Sequence, residues 1–236
     1  IPWNYPLFLI TRSVAPALAL GNTAVVKPAE QTPLITVAFA EIVEEIGLPA
    51  GVFNVVTGYG EEAGAPLSGH PDVRSLTFTG SVETGQSVMR AAVANMTKLC
   101  LELGGKSPVI IFPDVDVDKA TEVAMQGVLS RCGQVCIAGS RFFVHRAVYE
   151  RVVDRLAQRF AEVKLGDTLD PATEMGPLVS QEQLDRVAEY VAIGKQEGAR
   201  LVVGGARPDD PQLQKGHFYL PTLFADVSNE MRIARE

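Results

Sequence analysis

Ser75-Leu76-Thr77-Phe78-Thr79-Gly80-Ser81-Val82-Glu83-Thr84-Gly85 is the stretch that decides the fold. The residues from Ser75 to Phe78 favour a strand, Gly80 permits a turn, and Ser81 stands where a helix N-cap belongs, ahead of helical periodicity from Glu83 to Ala94. Strand, glycine turn and capped helix form one step of a βα unit. The same alternation extends outward in both directions. Strands are expected at Thr23 to Val26, Val52 to Thr57, Leu99 to Leu101, Val109 to Phe112, Phe142 to Val144 and Leu201 to Val203. Helices are expected at Thr32 to Ile46, Asp118 to Arg131, Arg146 to Val163 and Gln181 to Gly198. Gly47 and the Pro49-Ala50-Gly51 turn stop the first of these. Strands separated by single helices imply an α/β fold with a parallel sheet covered on both faces.

At 236 residues the chain accommodates one large domain or parts of two. Its formal net charge is −7 with no basic cluster, which argues against nucleic acid and anionic membrane as partners. The apolar stretch from Pro6 to Leu20 contains Thr11, Arg12, Ser13 and Pro16, so it is not read as a transmembrane helix. No signal peptide is visible. Three cysteines provide no disulfide framework and fit a reducing compartment, so a cytoplasmic location is expected. The chain begins at Ile1 without a methionine and ends at Glu236, and it is expected to be a piece of a longer protein.

Five segments carry candidate chemistry. Lys27-Pro28-Ala29-Glu30 follows the first strand, at the sheet edge where ligands of open parallel sheets bind; an acid there can accept both hydroxyls of a ribose. The alternative is a capping Glu and a surface Lys. Gly58-Tyr59-Gly60-Glu61-Glu62-Ala63 matches G-x-G-x-x-A after a strand, but no acid follows at the usual interval. The amides behind Ser81 suit a pyrophosphate, or Ser81 is an ordinary cap. Glu102, delivered by a strand into Gly104-Gly105, is either a proton acceptor or a structural acid bonded to loop amides. Cys136, in Gly133-Gln134-Val135-Cys136-Ile137-Ala138-Gly139, is either a nucleophile or a core thiol. Cys100, on an apolar strand, is expected to be buried. Cys132 and Cys136 lack the partners of a zinc site, so no metal is expected.

Taken together, Pro2-Trp3-Asn4-Tyr5-Pro6, Lys27-Pro28-Ala29-Glu30, Phe78-Thr79-Gly80-Ser81, Leu101-Glu102-Leu103-Gly104-Gly105-Lys106-Ser107-Pro108, Gly133-Gln134-Val135-Cys136 and Met175-Gly176-Pro177-Leu178 resemble the aldehyde dehydrogenase superfamily over the whole chain. The resemblance implies parallel Rossmann-type sheets with flanking helices, truncated at both ends. It divides the chain into residues 1–103, part of an NAD-binding domain, and residues 104–236, part of a catalytic domain. It also implies oxidation of an aldehyde to a carboxylic acid with NAD, NADP being tolerated through Lys27, in a homodimeric or homotetrameric parent.

By the same resemblance Cys136 attacks the aldehyde, Asn4 and the Cys136 amide hold the oxyanion, and Glu102 activates the water that hydrolyses a thioester. Lys27 and Glu30 bind the adenosine ribose, Gly60 the adenine side, and Gly80 and Ser81 the pyrophosphate. Phe78, Thr79, Leu103 and Gly104 border the nicotinamide, Gln183 reaches its ribose, and Ile1 and Trp3 belong to the cofactor set. Arg131 departs from the family's pattern, which often has Asn there. Enzymes that pass the acyl group to coenzyme A generally lack an acid at the Glu102 position, so water is the expected acceptor. The alternatives are a coenzyme A-acylating semialdehyde dehydrogenase and a catalytically silent binding or structural relative.

Overall fold

The computed structural model describes residues 1–236, and the chain forms two compact units, Ile1–Gly104 and Gly105–Glu236. In the first unit, helix α1 (Pro6–Ala19) precedes strand β1 (Ala24–Val26), helix α2 (Leu34–Glu45), strand β2 (Phe53–Val55) and, after a π-type turn at Gly60–Gly64, the short helix α3 (Ala65–Ser68). Strand β3 (Ser75–Gly80), helix α4 (Val82–Val93) and strand β4 (Lys98–Leu103) complete it. The expected elements do not include α1. Pro6 at its first turn is compatible with a helix because the missing amide has no helical partner there. Buried Leu9, Ile10 and Val14 supply its packing face, which outweighs the interior Pro16. Ile10, Val14 and Val26 form the local core together with Phe39 and Phe53, whose rings meet edge to face at 5.6 Å.

Strands β1 and β2 pair in parallel with Val26 opposite Val55, and β3 and β4 pair in parallel from Ser75 opposite Lys98 to Gly80 opposite Leu103. The second register sorts the side chains. Ser75, Thr77, Lys98, Cys100 and Glu102 point to the exposed face, whereas Leu76, Phe78, Leu99, Leu101 and Leu103 are half-buried. Cys100 is therefore exposed, not buried as expected: the period of two places it on the face of Lys98 and Glu102.

In the second unit, strand β5 (Pro108–Ile111), helix α5 (Val117–Leu129), a 3₁₀ segment (Ser130–Gly133), strand β6 (Arg141–Val144) and helix α6 (Tyr149–Glu162) are followed by helix α7 (Gln181–Gln196), strands β7 (Arg200–Val203) and β8 (Leu223–Ala225), and the short helix α8 (Arg232–Arg235). Strands β5 and β6 are parallel, with Pro108 opposite Arg141. On α6, Val152, Leu156 and Phe160 recur at helical spacing and pack with Met125 and Ala124 of α5 and with Ile111 of β5. Each such large side chain contributes about 1.5–3 kcal/mol on burial. Arg155 bonds Asp118 at 2.7 Å and Arg159 bonds Glu122 at 3.2 Å, tying the exposed flanks of the two helices.

The architecture is α/β, but the strands do not join into one parallel sheet. They form four two-stranded ladders, three parallel and one, β7 with β8, antiparallel. No helix of crossover length lies between β7 and β8, and the chain turns back through Gly204 and Gly205, both at φ 78°. Strand β8 is absent from the expected elements. No helix is long and apolar enough to cross a membrane.

Candidate functional site

Strand β1 ends at Val26 and delivers Lys27 and Glu30 to one loop. Lys27 Nζ donates to Glu30 Oε2 at 3.1 Å and to the Pro28 carbonyl at 3.0 Å, with the Lys27 side chain 16% exposed and that of Glu30 40% exposed. The Glu30 carboxyl lies below its ordinary range, held there first by its own backbone amide and then by Lys27, against a desolvation that pulls the other way. The loop is zipped to the chain's first residues, the Ile1 nitrogen donating to the Lys27 carbonyl and the Ala29 amide to the Ile1 carbonyl, each at 2.8 Å. Trp3 and Asn4 follow, half-buried, before α1. Gly64 packs beside Lys27: a Cβ on Gly64 would stand 3.7 Å from Lys27 Cδ, whereas one on Gly60 would meet open space. Lys27, Glu30 and the Gly60–Gly64 turn therefore share one end of the β1–β2 pair. A hollow of about 450 Å³ opens on the β2 side, lined in part by Val56, Thr57, Gly58, Glu62 and His70, with neither Lys27 nor Glu30 on its wall.

The β3–β4 pair assembles the second group. Thr79 lies opposite Glu102 and Gly80 opposite Leu103, so Phe78, Thr79, Gly80, Glu102, Leu103 and Gly104 gather at the carboxyl ends of two neighbouring strands. Glu102 is exposed there. Ser81 caps α4 by accepting from the Thr84 amide at 3.2 Å, and its hydroxyl donates to Thr84 Oγ1 at 3.1 Å. A cap of this kind stabilises a helix by about 1 kcal/mol. Gly80 and Gly85 each lie close under a neighbouring side chain. A Cβ on Gly80 would lie 2.5 Å from Phe78 Cζ, and one on Gly85 would lie 2.7 Å from Leu103 Cδ2.

In the second unit Cys136 is exposed on the loop between Gly133 and β6. The loop is anchored at both ends: upstream the Val179 amide donates to Gln134 Oε1, and downstream the Gly139 amide donates to the Gly127 carbonyl at 3.2 Å and Arg141 Nε to the Lys106 carbonyl at 2.7 Å. Upstream, Arg131 (φ 51°), Cys132 (φ 59°) and Gly133 (φ 75°) are three consecutive left-handed residues. For the two that carry a Cβ this conformation costs roughly 1–2 kcal/mol each, so surrounding contacts must hold it. Cys132 Sγ donates to the Gly176 carbonyl at 3.2 Å, and Gln134 Oε1 accepts from the Val179 amide at 3.1 Å. Burial pushes the Cys132 thiol above its ordinary range. A cavity of about 500 Å³ lies behind the turn, bounded in part by Arg131, Cys132, Met125 and Arg159, with Cys132 rather than Cys136 on its wall. Gln183 sits half-buried in the first turn of α7, its amide donating to the capping Ser180 hydroxyl.

Sequence reasoning weighs Cys132 only as a metal ligand and misses its bond to Gly176. The signal that could have found the contact is the pairing of two motifs, Gly133-Gln134 and Met175-Gly176-Pro177-Leu178. No group of three or more His, Cys, Asp or Glu side chains is arranged to hold a metal ion.

The model of the Aldehyde dehydrogenase family matches residues 1–236. A hydroxyisobutyraldehyde dehydrogenase of Mycolicibacterium austroafricanum is 56% identical over all of this chain and 46% of its own length. A betaine aldehyde dehydrogenase of Bacillus subtilis (strain 168) is 47% identical over all of this chain and 48% of its own. Among solved structures, a betaine aldehyde dehydrogenase from Staphylococcus aureus in complex with NAD+ superposes with a TM-score of 0.98 at 43% identity, covering 100% of this chain and 46% of that one. This chain thus spans about half the length of the curated relatives it matches.

Proposed function

The chain belongs to the aldehyde dehydrogenase family, and from that premise we propose that the protein oxidises an aldehyde to a carboxylic acid, with Cys136 as nucleophile and water as the final acyl acceptor. The observation that carries this reading is the exposed Cys136 on a loop held upstream at Gln134 and downstream at Gly139 and Arg141. A nucleophile must be reachable and also held, and this thiol is both.

Residues of the first unit suit NAD by their chemistry. Lys27 and Glu30 set a donor and an acceptor side by side for ribose hydroxyls, and the Glu30 carboxylate disfavours an added 2′-phosphate. A Cβ at Gly80 or Gly85 would displace Phe78 or Leu103, and the glycines keep the backbone around the α4 cap bare beside Ser81. Lys27, Glu30, Gly60, Gly80 and Ser81 would hold the cofactor's adenosine and pyrophosphate; Phe78, Thr79, Leu103, Gly104, Gln183, Ile1 and Trp3 complete the set. The chemistry a bound NAD supplies is acceptance of one hydride, which leaves the acyl group on Cys136 as a thioester.

The chain's own residues do the rest. The Cys136 thiolate adds to the aldehyde carbon, the C=O π bond breaks and an oxyanion forms. The Asn4 side-chain amide and the Cys136 backbone N–H donate to that oxygen; removing one such donor costs roughly 10²–10³ in turnover. Glu102 then takes a proton from water as the oxygen attacks the thioester carbon, and the acid leaves as the C–S bond breaks. Residues 1–103 and 104–236 contribute in this reading to the cofactor and catalytic domains. The test is NADH formation by the full-length protein with a panel of aldehydes. Signal that vanishes in Cys136→Ala supports the reading, and signal that persists there removes it.

A further inference from the structure

The exposed Cys136 loop begins at a turn that the backbone does not favour by itself. Arg131, Cys132 and Gly133 are left-handed in succession, and only the last is a glycine. What keeps them there comes from a segment more than forty residues further along the chain: Cys132 Sγ on the Gly176 carbonyl at 3.2 Å and the Pro177 carbonyl at 3.6 Å, and the Val179 amide on Gln134 Oε1 at 3.1 Å. Gln134 Nε2 closes the turn on itself by donating to the Arg131 carbonyl at 3.1 Å. Cys132 also packs against the buried group of Leu178, Leu184, Val191 and Tyr219, so the sulfur is fixed on its apolar side as well. Two side chains, two residues apart, thus grip consecutive parts of Gly176–Val179, and the residue two positions after Gln134 is Cys136.

We propose that Cys132 and Gln134 are positioning residues, a two-point clamp that holds the left-handed turn on Gly176–Val179 and so sets where the Cys136 thiol stands. The inference rests on the reading of Cys136 as nucleophile. Neither residue takes part in bond making; each acts through the loop. With one point released, the strained turn relaxes toward ordinary backbone and Cys136 moves with it. A displacement of about 1 Å at a reacting atom costs on the order of 10²-fold in rate.

The experiment compares Cys132→Ala, Cys132→Ser, Gln134→Met and Gln134→Glu in the full-length enzyme. It follows kcat and KM for one aldehyde and the rate at which iodoacetamide alkylates Cys136, read by mass spectrometry of the Cys136 peptide. The expected result is a kcat lowered by roughly 10- to 10²-fold in Cys132→Ala and Gln134→Met with an unchanged KM, together with an altered alkylation rate. Recovery is expected in Cys132→Ser, which restores a donor to Gly176, and partial recovery in Gln134→Glu, which keeps the acceptor for Val179 but loses the donor to the Arg131 carbonyl. Parental kcat and alkylation in folded Cys132→Ala and Gln134→Met overturn the clamp, as does a loss that neither conservative variant relieves. If Cys132→Ala does not fold, Gln134→Met against Gln134→Glu decides by the same criteria. Cys136→Ala, measured alongside, separates the two claims. Turnover surviving in it removes the nucleophile and the clamp with it, whereas turnover lost there but intact in the other variants removes the clamp alone.

Discussion

Gly133→Ala perturbs the turn that opens the Cys136 loop. Gly133 has φ 75°, where an added Cβ is strained, and that Cβ would also lie 3.3 Å from the Val128 carbonyl oxygen. The conformational term is roughly 1–2 kcal/mol. The tight contact adds to it, because the oxygen belongs to backbone at the end of α5 rather than to a side chain free to swing away. Relaxation is further restricted because Arg131 and Cys132 immediately before it are already left-handed. A penalty of one to two kcal/mol is a factor of about 5–30 in the population of a correctly formed structure. The full-length enzyme carrying Gly133→Ala should therefore melt lower and lose turnover by up to that factor, and Gly133→Asn should recover part of both because Asn tolerates left-handed backbone. Melting temperature by calorimetry and kcat with a saturating aldehyde are the assays. Parental values of both in Gly133→Ala would refute the strained-turn account.

Three further outcomes are expected. Glu102→Gln should release a burst of NADH of about one equivalent followed by slow turnover, since acylation survives and deacylation does not; full steady turnover would remove Glu102 from the mechanism. Glu30→Ala should raise KM for NAD by roughly 10- to 10²-fold with little change in kcat, the loss of a hydrogen bond to a charged group being worth about 1.5–3 kcal/mol; an unchanged KM in steady-state kinetics would exclude Glu30 from cofactor binding. The Asp226 carboxyl is held below its ordinary value of 3.8 by Arg200 first and then by Tyr149. A lowered folded pKa gives stability that is present above 3.8 and lost as pH falls through the folded value. Asp226→Asn should therefore lower the melting temperature at neutral pH and approach the parent at acid pH; a pH-independent difference would contradict this.

Much of this organisation was legible because it is local. The β3 turn and the Ser81 cap follow from glycine and serine chemistry within a few residues, and the α6 face follows from period-3.6 burial of Val152, Leu156 and Phe160. Where several interactions compete, the reading fails. Helix α1 carries an interior proline, Pro16, that argues against it, and it is stabilised by packing of Ile10 and Val14 that no local signal reports. Strand β8 has only three residues and owes its existence to β7. Cys100 departs from expectation because apolar neighbours suggest a strand buried on both faces, whereas strict alternation turns every second residue outward. At the candidate site, Lys27, Glu30, Glu102 and Cys136 could be picked out by residue type. The bonds from Cys132 to Gly176 and from Gln134 to Val179 could not, since they join segments far apart in sequence and depend on a backbone conformation that neither segment announces.

The claim on which the account stands is that the substrate carbon becomes bonded to Cys136 Sγ. The direct measurement is mass spectrometry of the full-length Glu102→Gln enzyme, quenched in acid after mixing with an aldehyde and NAD and digested to peptides. The account predicts the acyl mass on the peptide containing Cys136, in proportion to the NADH released. NADH formed without acyl mass on that peptide, or with the acyl group on Cys100 or Cys132, would contradict it.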